Sequence, residues 1–242
     1  MQQDSALSRK SSNKGQPIVV SREVLIPPLG LPGTLNRPDG ARAMVIFAHG
    51  SGSSRFSPRN NQVAEAFNRR GIATLLFDLL LPQEEGDRRN VFDIKLLAQR
   101  LTQAVRWVTD EPDIGKLLIG LFGASTGAAA ALVAASVLGD CIGAVVSRGG
   151  RPDLAGDALG QVKAPTLLIV GGADFGVIEL NQWALERLGG EKRIEIVPGA
   201  THLFPEPGAL DCVVELAADW FESHLVGGNH RSADPRQTDA SR

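Results

Sequence analysis

The sequence predicts one α/β domain built on a mainly parallel sheet with helices on both faces. Three observations carry this reading. The chain has 242 residues, 43% of them hydrophobic, which is enough for one sizeable core. Short apolar runs recur along it, and longer segments with helical spacing of apolar residues separate them.

Taken in order, residues 1–17 are rich in Ser, Lys and Gln, and residues 227–242 are poor in apolar side chains. Both segments read as disordered tails around a domain spanning residues 18–226. Val19–Ile26 reads as an additional strand at the sheet edge, its pairing direction open. The runs Ala43–Ala48, Ile72–Phe77, Leu117–Phe122, Ile142–Val146, Thr166–Val170 and Arg193–Val197 are continuous and bounded by Gly, Pro or Asp. That pattern suits strands buried on both faces. Helical spacing covers Pro58–Arg70, Asn90–Thr109, Thr126–Leu138, Gly176–Leu188 and Pro207–Leu225. In the second of these, Trp107 and the leucines read as core packing rather than a partner face.

The formal charge of −2 provides no electrostatic reason to expect nucleic acid or an anionic membrane as a partner. The polar N-terminus lacks the apolar segment of a signal peptide, and no stretch reads as a membrane span. A cytoplasmic protein acting on a small molecule, as monomer or homodimer, is the expectation. The two cysteines, Cys141 and Cys212, sit in apolar stretches without metal-ligand spacing and read as buried free thiols.

Ligands of a parallel α/β sheet bind at the carboxyl ends of its strands, so chemistry is sought in the loops that follow the runs. "GASTG" places Ser125 between a strand and a helix, with Gly123 and Gly127 leaving room for a sharp turn. Ser125 reads either as a nucleophile or as the N-cap of a buried helix. A serine nucleophile needs a base, and of four histidines only His49 and His202 follow strands. His202, after the last strand, fits the base; the alternative is a loop-bonding imidazole. Asp174 is the carboxylate of "GGADFGV" and fits the group that orients the imidazole, with Glu179 as substitute and helix capping as the other reading. Backbone N–H groups of Thr126 and of Ser51, with Gly52 next, would form an oxyanion hole, His49 positioning that loop. A phosphate cradle is the competing reading of "HGSGSS", but the lysine ending of a P-loop is missing.

On "FAHGSGSS", "GASTG", "GGADFGV" and "GATHLF", the chain resembles an α/β-hydrolase over about residues 18–225. More narrowly it resembles the dienelactone-hydrolase-like branch, short and with minimal or no cap. "HGSGSSRFSPRN", "RRNVFDI" and "SRGGRPDLA" are similar to a bacterial subgroup that also occurs fused to phosphoribosyltransferase domains; no such second domain is expected here. Dienelactone hydrolases proper carry cysteine at the elbow, where this chain has Ser125. The resemblance therefore implies serine esterase chemistry on an ester, thioester or lactone, without metal or organic cofactor, and does not carry over the dienelactone substrate. A non-catalytic binding module, or acyl transfer or perhydrolysis by the same residues, are the alternatives.

Only Ser147–Val162 separates two of the strands where a lid would be inserted, which argues against a long-chain lipase. The same edge carries Arg55, Arg59, Arg88, Arg89, Arg148 and Arg151. Arg55 and Arg148 are the first candidates for binding an anionic substrate group. The alternative is ion pairing with Glu84, Glu85, Asp87, Asp93 and Asp153. Asp78, ending a strand, reads as a structural hydrogen-bonding group, with loop orientation or substrate contact as the other reading.

Overall fold

A computed structural model describes residues 17–226. The tails expected at residues 1–17 and 227–242 lie, apart from Pro17, outside the described residues. The strands are β1 (Val19–Ile26), β2 (Leu31–Pro38), β3 (Ala43–Ala48), β4 (Ile72–Phe77), β5 (Leu118–Ala124), β6 (Ile142–Arg148), β7 (Thr166–Gly171) and β8 (Lys192–Val197). They form one eight-stranded sheet in the order β1-β2-β4-β3-β5-β6-β7-β8. From β4 to β8 all neighbours are parallel, whereas β1 pairs with β2, and β2 with β4, antiparallel.

β2 is the element that the sequence reading lacked. Its residues, LPGTLNRP, include turn formers that an antiparallel strand near the edge tolerates. Gly33 suits this close pairing, since a Cβ there would lie 3.0 Å from that of Phe77, its partner on β4.

The helices are α1 (Pro58–Arg69), the single turns α2 (Pro82–Glu85) and α3 (Arg88–Val91), α4 (Ile94–Asp110), α5 (Thr126–Leu138), α6 (Phe175–Arg187) and α7 (Ala209–Phe221). The expected Asn90–Thr109 helix is thus divided. Asp93 leaves the helical region and its carboxylate accepts from the Leu96 N–H, so it caps α4. Trp107 packs against the core from α4.

Two apolar layers flank the sheet. One joins α4, α5 and α6 to it through side chains such as Leu101, Leu132 and Ala184. The other joins α1 and α7 through Phe67 and Phe221, whose rings meet edge-on at 5.6 Å. The alanine-rich α5 is apolar nearly all round and lies beneath α4 and a run of 3-10 turns at Pro152–Gln161. Those turns occupy the place where a lid would be inserted. Both cysteines are free and exposed, which corrects the expected burial. Cys212 lies on the outer face of amphipathic α7, and Cys141 closes a turn after α5.

Candidate active site

The sheet order reverses between β3 and β5: from β3 the chain builds β4 on one side and later β5 on the other. Such a switch point leaves a crevice at the strand ends. The loops after β3 and β5 both open there.

Ser125 stands between β5 and α5 at φ 52° and ψ −122°, a conformation that costs a non-glycine residue about 1–3 kcal/mol. Close packing holds it. A Cβ on Gly123 would lie 2.4 Å from the Ala128 Cα, and one on Gly127 would lie 2.1 Å from the Ala48 carbonyl oxygen. Gly50 faces the serine so closely that a Cβ there would sit 2.9 Å from the Ser125 Cβ. The Ser125 N–H donates to the Arg148 carbonyl at 3.3 Å, and its carbonyl accepts from Arg151 at 3.0 Å. Its side chain caps nothing, although Ser125 occupies the N-cap position.

The hydroxyl instead lies 3.3 Å from His202 Nε2. His202 Nδ1 is 2.7 Å from Asp174 Oδ2, and a carboxylate can only accept, so Nδ1 carries the proton and Nε2 is free to accept from the serine. Asp174 likewise holds the N-cap position of α6 without capping it. Asp174, not Glu179, reaches the imidazole. Its loop is tied to that of His202: Gly172 donates to Val197 at 2.8 Å and Ala173 to Ala200 at 2.9 Å. Phe204, at φ 55° and buried in the α1–α7 layer, pins the turn that carries His202. Gly149 (φ 49°) packs beneath this loop, where a Cβ would be 2.7 Å from the His202 carbonyl oxygen. Sequence reasoning missed Phe204 and Gly149, because both roles depend on contacts distant in the chain.

Ser51 and Thr126, the residues expected to supply oxyanion donors, are in contact. The Ser51 N–H donates to Thr126 Oγ1 at 3.1 Å, joining the β3 loop to the first residue of α5. Gly52, at φ 69°, follows in the turn, and the bond to Thr126 is made by Ser51. His49 anchors the loop from below. Its Nδ1–H donates to the Gly50 carbonyl at 3.0 Å, and Nε2 accepts from the Leu79 N–H at 3.2 Å. Both contacts fit the neutral ring, and burial pushes its pKa below the ordinary value of 6.5. His224 lies away from this site, against Trp220.

The arginines separate into two groups. Arg55 pairs with Asp78 through its guanidinium and its N–H, and approaches Glu23 at 3.5 Å. Its cation is thus engaged at the sheet edge rather than presented to the cavity. Arg89 is bidentate to Asp87, and Arg151 to Asp153. Arg88 lies over the ring of Phe92. Arg148 is different: it is 6% exposed, it faces the Phe122 ring at 6.0 Å, and its Nε and Nη1 have no hydrogen-bond partner. Burial, and then the charge of Arg59, lower its pKa to about 10, so it stays cationic at neutral pH. Arg148 and Arg59 both line a cavity of about 760 Å³ bounded also by Ser51, by Leu203, which follows His202, and by Gly50, which faces Ser125.

Comparison with known proteins decides the family. Residues 41–211 match the profile of the alpha/beta hydrolase domain. The chain belongs to the α/β-hydrolase family. It is similar to a crystal structure of dienelactone hydrolase from Anabaena variabilis, with 54% identity and a TM-score of 0.83, covering 87% of this chain and 99% of that one. This α/β-hydrolase thus falls on the dienelactone-hydrolase-like branch. Est1E from Butyrivibrio proteoclasticus shares the fold at a TM-score of 0.71 and 16% identity, over 85% of this chain and 98% of that one. Two proteins from strains of Mycobacterium tuberculosis, both named as phosphoribosyl transferases, are 58% identical over 205 residues. The match covers 85% of this chain and 46% of each relative, so the chain spans about half their length. No helix among the described residues is long and apolar enough to cross a membrane.

Proposed function

We propose that this α/β-hydrolase is a serine hydrolase that cleaves a small to medium carboxylic ester, thioester or lactone through an acyl-enzyme. The observation that carries the reading is the continuous contact from Ser125 Oγ through His202 to Asp174, each residue on a different strand-end loop. The Ser125 oxygen attacks the acyl carbonyl as its proton passes to His202 Nε2, and Asp174 stabilises the resulting imidazolium. The tetrahedral oxyanion lies between the N–H groups of Ser51 and Thr126, the substrate oxygen replacing the Thr126 hydroxyl on the Ser51 N–H. Collapse releases the alcohol or thiol, protonated by His202, and water then repeats the sequence to free the acid. The esterase names of several fold neighbours agree with this chemistry, carboxyl esterase 2 from Tuber melanosporum among them. The transferase name of the mycobacterial relatives belongs to chains about twice as long.

A fluorophosphonate probe should label Ser125 in the folded protein. Ser125→Ala should abolish labelling and lower kcat on short p-nitrophenyl esters by about 10⁴-fold or more, with an unchanged melting curve. Undiminished hydrolysis by Ser125→Ala would refute the assignment. A folded wild type that is neither labelled nor active would favour a binding module.

A further inference from the structure

The cavity lined by Gly50, which faces the candidate nucleophile, also holds Arg148 and Arg59, whose guanidinium groups pair with no carboxylate among the described residues. Arg148 ends β6, one strand from the serine, and its own carbonyl accepts the Ser125 N–H. Its side chain is buried at 6% exposure with Nε and Nη1 unsatisfied. A buried cation in that state is expensive unless a ligand supplies the missing charge. Arg59 follows Pro58 in the first turn of the 12-residue helix α1, and its Nε is also buried without a partner. The helix N-terminus adds partial positive charge on the same side, its Asn60 and Asn61 N–H groups being held by the Ser57 hydroxyl and carbonyl. Glu85 lines the cavity as well, but it is exposed, and its field acts on His49 rather than on Arg148.

We propose that Arg148, Arg59 and the N-terminus of α1 form a subsite for a dianionic phosphate monoester carried on the substrate of the hydrolase. The inference rests on the serine hydrolase reading and specifies its substrate class. A phosphate monoester carries roughly −1.5 to −2 charge at pH 7, matching two uncompensated guanidiniums, whereas a carboxylate neutralises only one. Its several oxygens also accept from donors converging from a strand end and from a helix end, and a flat carboxylate accommodates fewer directions. The phosphate binds intact, as a handle that holds the acyl group over Ser125; no bond to phosphorus changes.

The test compares p-nitrophenyl butanoate with p-nitrophenyl esters bearing a terminal carboxylate or a terminal phosphate on a chain of matched length. The phosphorylated ester should exceed the neutral one in kcat/KM by about 30-fold or more, with the carboxylate between them. Inorganic phosphate should inhibit competitively. Arg59→Gln should reduce the phosphorylated-to-neutral ratio about tenfold and weaken phosphate inhibition in proportion. Arg148→Gln should reduce the ratio further, its folding checked by circular dichroism; the half-buried Arg59 carries the test if that variant fails to fold. Equal kcat/KM for all three esters, a preference for the carboxylate, or an unaltered ratio in Arg59→Gln would overturn the subsite while leaving the hydrolase reading intact. If wild type cleaves none of the three, the hydrolase reading is in trouble. Calorimetric binding of inorganic phosphate, lost in Arg59→Gln, then supports the subsite by itself, and no binding overturns it.

Discussion

Ser125 illustrates how a single residue reconciles two demands. Its left-handed φ lifts the hydroxyl out of the capping position and towards His202, at a cost of about 1–3 kcal/mol for a side chain with a Cβ. Glycine adopts that conformation freely, although its extra unfolded-state entropy takes back about 0.5–1 kcal/mol. Relief of strain is the larger effect. Ser125→Gly should therefore be more stable than wild type by about 1 kcal/mol in urea unfolding while losing the proposed esterase activity. A destabilised Ser125→Gly would mean that the turn is not strained. Asp174 shows the same diversion, a helix-capping position whose carboxylate serves the imidazole instead.

At the scale of elements, the junction of β3, β5 and α5 depends on how closely α5 approaches the sheet. Gly127 lies in the first turn of α5, where replacement by alanine in an isolated helix would gain about 1 kcal/mol. Here the new Cβ would lie 2.1 Å from a backbone carbonyl of β3 and 2.5 Å from that of His49, neither of which can rotate away. Packing outweighs propensity. Gly127→Ala should lose about 1–3 kcal/mol of stability, read by urea unfolding. Because the shift separates Thr126 from Ser51, it should lower kcat more than it raises KM.

Over the whole molecule, the loops after β3 and β4 are joined through His49, whose two ring nitrogens are both committed in the neutral form. In the unfolded chain the ring takes up a proton near pH 6.5, whereas burial lowers its pKa in the native state. The unfolded state therefore binds more protons as pH falls below about 6.5, and stability should decline with it, by at most about 1.4 kcal/mol per pH unit from this group. Wild type should lose stability between pH 7 and pH 5.5 in urea titrations, and His49→Gln should show a shallower dependence. Equal slopes would remove His49 as the cause.

Much of this architecture is written locally. Strands buried on both faces must be continuously apolar, so Ala43–Ala48 and Ile72–Phe77 appear in the sequence with the bounds that they have in the fold. Strand ends then name the loops, and Ser125, Asp174 and His202 can be picked out because few residue types in those loops are able to do acyl-transfer chemistry. β2 was not legible: the Gly and Pro of Leu31–Pro38 resemble a turn until β1 and β4 pair on either side. Nor were the exposed cysteines, whose apolar neighbours face inward while they face out. The sequence alone determined the parallel sheet and the loops at its carboxyl edge, since local periodicity and strand boundaries encode both. Only the tertiary structure decided which arginine is paired and which is left bare: Arg55 met Asp78, and Arg148 met no carboxylate among the described residues. The reason is physical. A charge is compensated or not by whatever the fold brings within a few ångströms, and chain proximity does not record that.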